Sequence, residues 1–163
     1  MSLLSGAKSE SGEGSVKPFS NCTACKAVYY SQAGQNCTAC PKGKADADQN
    51  PATPCKQCSS GQYTKPAAIT CTDCQAGKAD LDTNAGTECS ECTQGKYSAA
   101  RQTTCISCQP GKANKLNGQS TCEPCEAGRY SDKNSLQNAQ YCLDCAKGKY
   151  QGLNGSSSCK NCT

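Results

Sequence analysis

The chain has no tryptophan and no histidine, and only one phenylalanine (Phe19) and one methionine in 163 residues. Without histidine, no side chain of ordinary pKa near neutrality is present to act as a general base. No serine or cysteine stands apart from its repeated neighbours as a nucleophile, so no catalytic residue is nominated and the chain reads as non-enzymatic. Leucine, isoleucine and valine are also scarce. The hydrophobic share of 35% is reached only by counting 18 cysteines. Such a chain cannot bury enough apolar area to offset backbone ordering, which costs roughly 1–2 kcal/mol per residue. No apolar run is long enough to cross a membrane. The start, MSLLSGA, has no signal-peptide core. For a secreted chain that leads to the expectation of a mature form or a fragment of a longer precursor. The 17 basic and 13 acidic residues are interspersed and sum to +4. This pattern describes a solvated surface, not a nucleic-acid footprint, and no cofactor is expected.

What is present is cysteine, at a density and even count that mark a disulfide scaffold. A closed loop of the size seen here is worth about 3 kcal/mol per bridge in the chain-entropy picture. Bridges persist in oxidising compartments, so an extracellular or cell-surface location is expected. All the cysteines fall in Cys-x-x-Cys doublets: Cys22/Cys25, Cys37/Cys40, Cys55/Cys58, Cys71/Cys74, Cys89/Cys92, Cys105/Cys108, Cys122/Cys125, Cys142/Cys145 and Cys159/Cys162. Glycine follows three residues later at Gly43, Gly61, Gly77, Gly95, Gly111, Gly128 and Gly148, with Val28 in the first copy. Two residues further the chain reads Tyr30, Ala45, Tyr63, Ala79, Tyr97, Ala113, Tyr130, Tyr150. The true period is therefore double, a Tyr-half followed by an Ala-half, and only Tyr150 breaks the alternation.

Repeats of this length predict a quasi-linear array in which each unit touches mainly its neighbours. The expected fold is small and disulfide-rich: an elongated tandem array of short β-hairpin and turn modules with little hydrophobic core. Residues 1–21 read as a polar leader or linker. Repeats follow at 22–54, 55–88, 89–121 and 122–158, and 159–163 begin an incomplete one. Glycine after each doublet suits a left-handed turn position. The segments GKYSA and GRYSD suit brief strands with tyrosine against the disulfides. Prolines and the Asn-Gly pairs at 117–118 and 154–155 punctuate the loops.

Two bridge patterns fit the doublets. In one, first cysteine bonds first and second bonds second, as Cys55–Cys71 with Cys58–Cys74, leaving Cys159 and Cys162 without partners. In the other, each second cysteine bonds the next first one, as Cys58–Cys71, leaving Cys22 and Cys162 over. Spacing does not decide connectivity; the paired-doublet pattern is the one favoured. A tetrahedral zinc array is the rival chemistry. Nine doublets do not divide into four-ligand sites and no histidine is available, so zinc is set below disulfides. A thioredoxin-like role needs one distinctive doublet on a βαβ scaffold, and these nine look equivalent.

Four Asn-x-Ser/Thr sequons, at Asn21, Asn36, Asn154 and Asn161, are acceptors for glycans in a secreted protein. Asp80, Asp82 and Asn84 alternate like the start of a calcium loop, echoed by Asp46-Ala-Asp48-Gln-Asn50, although a solvated polar turn is favoured. Lys44, Lys78, Lys96, Lys112, Arg129 and Lys149 follow the glycines and would make a basic stripe, or ordinary solvated side chains. Tyr63, Tyr97 and Tyr130 would make a binding row, with the minimal core of each unit favoured instead.

The motif C-x-x-C-x-x-G-x-Y-S, as in CTQGKYSAARQTTCISC and CEAGRYSDKNSLQNAQYCLDC, resembles ephrin-receptor-like and growth-factor-receptor-like cysteine-rich modules. More distantly it is similar to tumour-necrosis-factor-receptor modules, and long arrays of it look like protist surface antigens. The resemblance covers residues 22–162. It implies a disulfide-stacked extracellular rod and carries no ligand-contact residues over. The function expected is a structural protein of a surface coat or self-assembling filament, its partners being head-to-tail copies of itself or other extracellular proteins. The alternative is a ligand-binding ectodomain fragment of a receptor or surface antigen.

Overall fold

The computed structural model describes residues 29–31, 37–132 and 140–163. Among these residues there is no helix. Sixteen strands of two residues each form antiparallel pairs. Strand β1 (Tyr29–Tyr30) pairs with β2 (Thr38–Ala39), β3 (Lys44–Ala45) with β4 (Lys56–Gln57), and β5 (Gln62–Tyr63) with β6 (Thr72–Asp73). Strand β7 (Lys78–Ala79) pairs with β8 (Ser90–Glu91), β9 (Lys96–Tyr97) with β10 (Ile106–Ser107), and β11 (Lys112–Ala113) with β12 (Glu123–Pro124). Strand β13 (Arg129–Tyr130) pairs with β14 (Leu143–Asp144), and β15 (Lys149–Tyr150) with β16 (Lys160–Asn161). The fold is a small disulfide-rich tandem hairpin array.

The glycine after each doublet explains the first strand of each hairpin. Gly77 has φ +88, and the Lys78 N–H donates to the Gln75 carbonyl at 2.9 Å. Positive φ at the third residue of a four-residue turn is type II geometry, which glycine adopts without strain. The same closure recurs from Lys44 onto Pro41 to Lys149 onto Ala146. The turn reverses the chain so that the following strand meets the doublet of the next half. There the Cys92 N–H donates to the Gly77 carbonyl at 2.9 Å, and its counterparts run from Cys58 onto Gly43 to Cys162 onto Gly148.

The halves are numbered here by their doublets, half 2 beginning at Cys37 and half 8 at Cys142. Each hairpin crosses from one half to the next, and so does each disulfide. The bridges are Cys40–Cys55, Cys58–Cys71, Cys74–Cys89, Cys92–Cys105, Cys108–Cys122, Cys125–Cys142 and Cys145–Cys159. This is the ladder pattern and it corrects the favoured pairing of like with like: neither Cys55–Cys71 nor Cys58–Cys74 forms. Cys159 is bonded to Cys145, so of the last doublet only Cys162 is free. The reason is local. Each cystine closes the ends of one hairpin, where the Cα atoms of the pair lie 5.5–5.8 Å apart, inside the span a disulfide bridges. Cys37 is also disulfide-bonded, and Cys22 and Cys25 lie outside the described residues, as does the leader.

The core is unusual in its chemistry. It consists of Cys40, Cys58, Cys74, Cys92 and Cys125 with Ala45, Ala79, Ala85 and Ala113. Tyr63, Tyr97 and Tyr130 are only half-buried, so tyrosine lines the units and does not fill them. Ala45, Ala79 and Ala113, by contrast, are buried. Ala45 makes a parallel bridge to Ala68, and Ala79 one to Gln102.

Candidate functional site

Among the described residues the most organised feature is the joint between successive halves. It rests on the residue immediately after the Tyr or Ala of halves 2 to 7: Asp46, Thr64, Asp80, Ser98, Asn114 and Ser131. All six are buried polar side chains. Their N–H groups reach the next half, as Asp46 to the Ala68 carbonyl (3.0 Å), Thr64 to Ala85 (2.9 Å), Asp80 to Gln102 (2.9 Å) and Ser98 to Gln119 (3.3 Å). Their carbonyls accept from the preceding half, as Ser98 from the Gly77 N–H (2.8 Å) and Asn114 from Gly95 (2.9 Å). At Gly61 the acceptor is instead the Asp80 side chain, Oδ2 at 3.3 Å.

The side chains complete the joint. The Ser98 hydroxyl donates to the Lys78 carbonyl at 3.0 Å, and Asn114 Nδ2 to the Lys96 carbonyl at 3.0 Å. Thr64 Oγ1 accepts from the Gly43 N–H at 2.9 Å and donates to the Lys44 carbonyl at 3.3 Å. A buried position that must bond to backbone on both sides tolerates only small polar residues. The GKYS, GKAD and GKAN endings carry this signal as a polar residue at a fixed offset, but nothing within one half marks it as buried.

A third contact runs from the loops. The N–H groups of Ala67, Arg101, Gly118 and Gly155 donate to the carbonyls of Cys40, Cys74, Cys92 and Cys125 at 2.7–2.9 Å. All four donors have positive φ, from +58 to +72. Asn-Gly serves this position in two loops, and there the asparagine adds a clasp. Asn117 Oδ1 accepts from the Gln94 N–H and Asn154 Oδ1 from the Ala127 N–H, each at 3.0 Å.

The Asp-rich loops of halves 2 and 4 fold onto themselves. Asp82 Oδ1 accepts from the Asn84 N–H (3.0 Å), both Asp82 oxygens from the Thr87 hydroxyl (3.1 and 2.8 Å), and Asn84 Oδ1 from the Gly86 N–H (3.0 Å). Asp48, Asn50 and Thr53 repeat the pattern. The Asn84 N–H, then the Thr87 hydroxyl, hold the Asp82 carboxyl below the usual aspartate value of 3.8. The Asn50 N–H, then the Thr53 hydroxyl, do the same for Asp48. The oxygens of Asp82 and Asn84 proposed for calcium are thus turned onto backbone and hydroxyl donors. No group of three or more His, Cys, Asp or Glu side chains able to hold a metal is found among the described residues. Among the described residues every cysteine but Cys162 is disulfide-bonded, which takes up the thiols a zinc array would need.

The basic stripe is interrupted by cross-strand partners. Lys78 pairs with Glu91 at 3.4 Å and Arg129 with Asp144 at 2.7 Å, while Lys96 faces Ser107 and Lys112 faces Pro124. The tyrosines face Thr72, Ile106 and Leu143 across their hairpins, and Ile106 and Leu143 are exposed. Asn154 and Asn161 are exposed; Asn21 and Asn36 lie outside the described residues. A cavity of about 290 Å³ sits beside half 6, lined by Leu116, Gln119, Pro124 and the charged Glu123, Glu126 and Arg129.

No known protein family matches this chain, and neither does any curated protein.

Proposed function

We propose that the chain is a non-enzymatic extracellular structural element, a disulfide-stapled rod in a surface coat or self-assembling filament. The observation that carries this reading is the joint: backbone contacts of the same kind recur along the array, and each half bonds mainly its neighbours. Such repetition propagates in one direction and suits a load-carrying or spacing role. Cystines such as these persist in an oxidising setting, and no helix among the described residues is long and apolar enough to cross a membrane. Head-to-tail association of such rods grows open filaments, and glycans on exposed Asn154 or Asn161 would decorate their flank. Sedimentation velocity and small-angle scattering across a concentration series test the proposal. An elongated particle that lengthens with concentration is expected. A species that stays monomeric at the highest soluble concentration removes the filament, and a compact one removes the rod.

The second reading, a ligand-binding ectodomain, draws on the cavity beside half 6. There Asn114-Lys115-Leu116-Asn117 departs from the Asp-rich loops of halves 2 and 4. Under it, Leu116→Asp abolishes ligand capture without lowering thermal stability; unchanged capture rejects the cleft as the site.

A further inference from the structure

Asn117–Gly118 and Asn154–Gly155 are the two Asn-Gly pairs of the chain, and both sit at joints. Asn-Gly is the dipeptide most open to intramolecular attack by backbone nitrogen on the side-chain amide, because glycine has no side chain to hinder the approach. We propose that these two pairs are deamidation sites gated by the stacking of the array: protected while a joint is closed, and converted irreversibly once it opens.

The protection is visible in the contacts. The attacking atom in the first pair is the Gly118 nitrogen, and its hydrogen is held by the Cys92 carbonyl at 2.7 Å. The amide to be attacked is held by its own oxygen, which accepts from the Gln94 N–H at 3.0 Å. In the second pair Gly155 N–H is held by the Cys125 carbonyl at 2.7 Å, and Asn154 Oδ1 by the Ala127 N–H at 3.0 Å. Both glycines are fixed in the left-handed region, at φ +68 and +72. Each carbonyl is wedged beneath an earlier glycine: a Cβ on Gly77 would lie 2.0 Å from the Gly118 oxygen, and one on Gly111 2.0 Å from the Gly155 oxygen. Neither ring closure nor the rotation it needs is compatible with these contacts.

When a joint opens, the glycine nitrogen loses its proton to hydroxide and attacks Cγ of the asparagine. The bond from Cγ to the amide nitrogen breaks and ammonia leaves, giving a cyclic succinimide. Water then opens the ring to aspartate or to isoaspartate. Isoaspartate places an additional carbon in the main chain. That carbon displaces the Gly118 or Gly155 N–H from its cysteine carbonyl, so the joint does not close again as before. Each pair thereby records the opening of its own joint.

The test uses the full chain produced without glycosylation, so that Asn154 carries an unmodified amide. Folded oxidised protein and reduced, alkylated protein are incubated in mildly alkaline buffer. Peptide mapping follows amide-to-acid conversion, and isoaspartyl methyltransferase labelling follows the isomer. Conversion at both sites is expected to be at least about tenfold slower in the folded chain, because two hydrogen bonds must open first. Gly77→Ala, which pushes on Gly118, is expected to accelerate Asn117 and leave Asn154 unchanged. Gly111→Ala is expected to do the reverse. Equal rates in folded and unfolded chains, or equal acceleration of both sites by each variant, overturns the proposal. If a variant does not fold, sub-denaturing urea on the natural sequence replaces it. Conversion must then rise in step with loss of amide-exchange protection at Gly118 and Gly155, and a rise at neither site overturns the gating.

Discussion

Gly77 and Gly128 occupy the same place in their turns, at φ +88 and +85, but differ in what lies next to them. A Cβ on Gly128 meets nothing within 4 Å, whereas one on Gly77 falls 2.0 Å from the Gly118 oxygen and 2.5 Å from its carbonyl carbon. Alanine at either position carries the strain of a left-handed L-residue, about 1–2 kcal/mol. At Gly77 the loop of half 6 must also retreat by more than an ångström. That movement breaks the bond from the Gly118 N–H to the Cys92 carbonyl (2.7 Å) and the bond from the Ser98 N–H to the Gln119 carbonyl (3.3 Å), each worth about 1 kcal/mol net. Gly77→Ala is therefore expected to cost about 3–4 kcal/mol and Gly128→Ala about 1–2 kcal/mol. Urea unfolding of the oxidised proteins gives both numbers, and amide exchange at Gly118 locates the damage. If the two variants lose the same stability within about 0.5 kcal/mol, the close approach between halves contributes nothing. The stacking argument then fails.

Non-reducing peptide mapping is expected to recover Cys58 joined to Cys71 and Cys74 to Cys89; finding Cys55 joined to Cys71 instead would overturn the ladder. Ala67→Gly and Arg101→Gly relieve positive φ of +58 and +63 and are each expected to stabilise by about 1 kcal/mol, read as a higher urea midpoint; for Arg101 the lost ion pair with Asp73 is exposed and offsets little. Ser98→Ala removes a buried hydroxyl that donates to the Lys78 carbonyl and is expected to cost about 1–3 kcal/mol, since the carbonyl is left unsatisfied. Asp48 and Asp82 are held below 3.8 in the folded chain, so the stability they confer is complete above that value and is lost as pH falls below it, through the folded values. The melting temperature is expected to fall on acidification from about pH 5 to about pH 2, and the fall to be shallower in the double variant Asp48→Asn, Asp82→Asn; an unchanged slope would show that the two loops carry no linkage.

The turn at Gly77 and the hairpins were legible because their determinants are local. A glycine at a fixed offset from a doublet, followed by a short β-prone segment, specifies a turn and a strand without reference to anything distant. The alternation of Tyr63 with Ala79 is visible as a pattern, but not that Ala79 is fully buried while Tyr63 is half-buried, because burial depends on the neighbouring halves. The disulfide pairing was misread because loop entropy barely separates the two alternatives: Cys58–Cys71 encloses 13 residues of separation, and the rejected Cys55–Cys71 would enclose only slightly more. Asp80 was read as part of a polar loop with a calcium pattern. In the structure it is buried at the joint and bonded to Gly61, while Asp82 and Asn84 close their own turn.

By itself the sequence determined that this protein is a cysteine-stapled tandem array, because composition limits what can be buried and periodicity limits what can neighbour what. The tertiary structure alone decided which cysteine meets which, and that the small polar residue after the Tyr or Ala of halves 2 to 7 is the keystone of the joint. The physical reason is that both depend on register between halves. Register is set by where one half's turn places its glycine carbonyl against the next half's doublet, a distance that no single repeat contains.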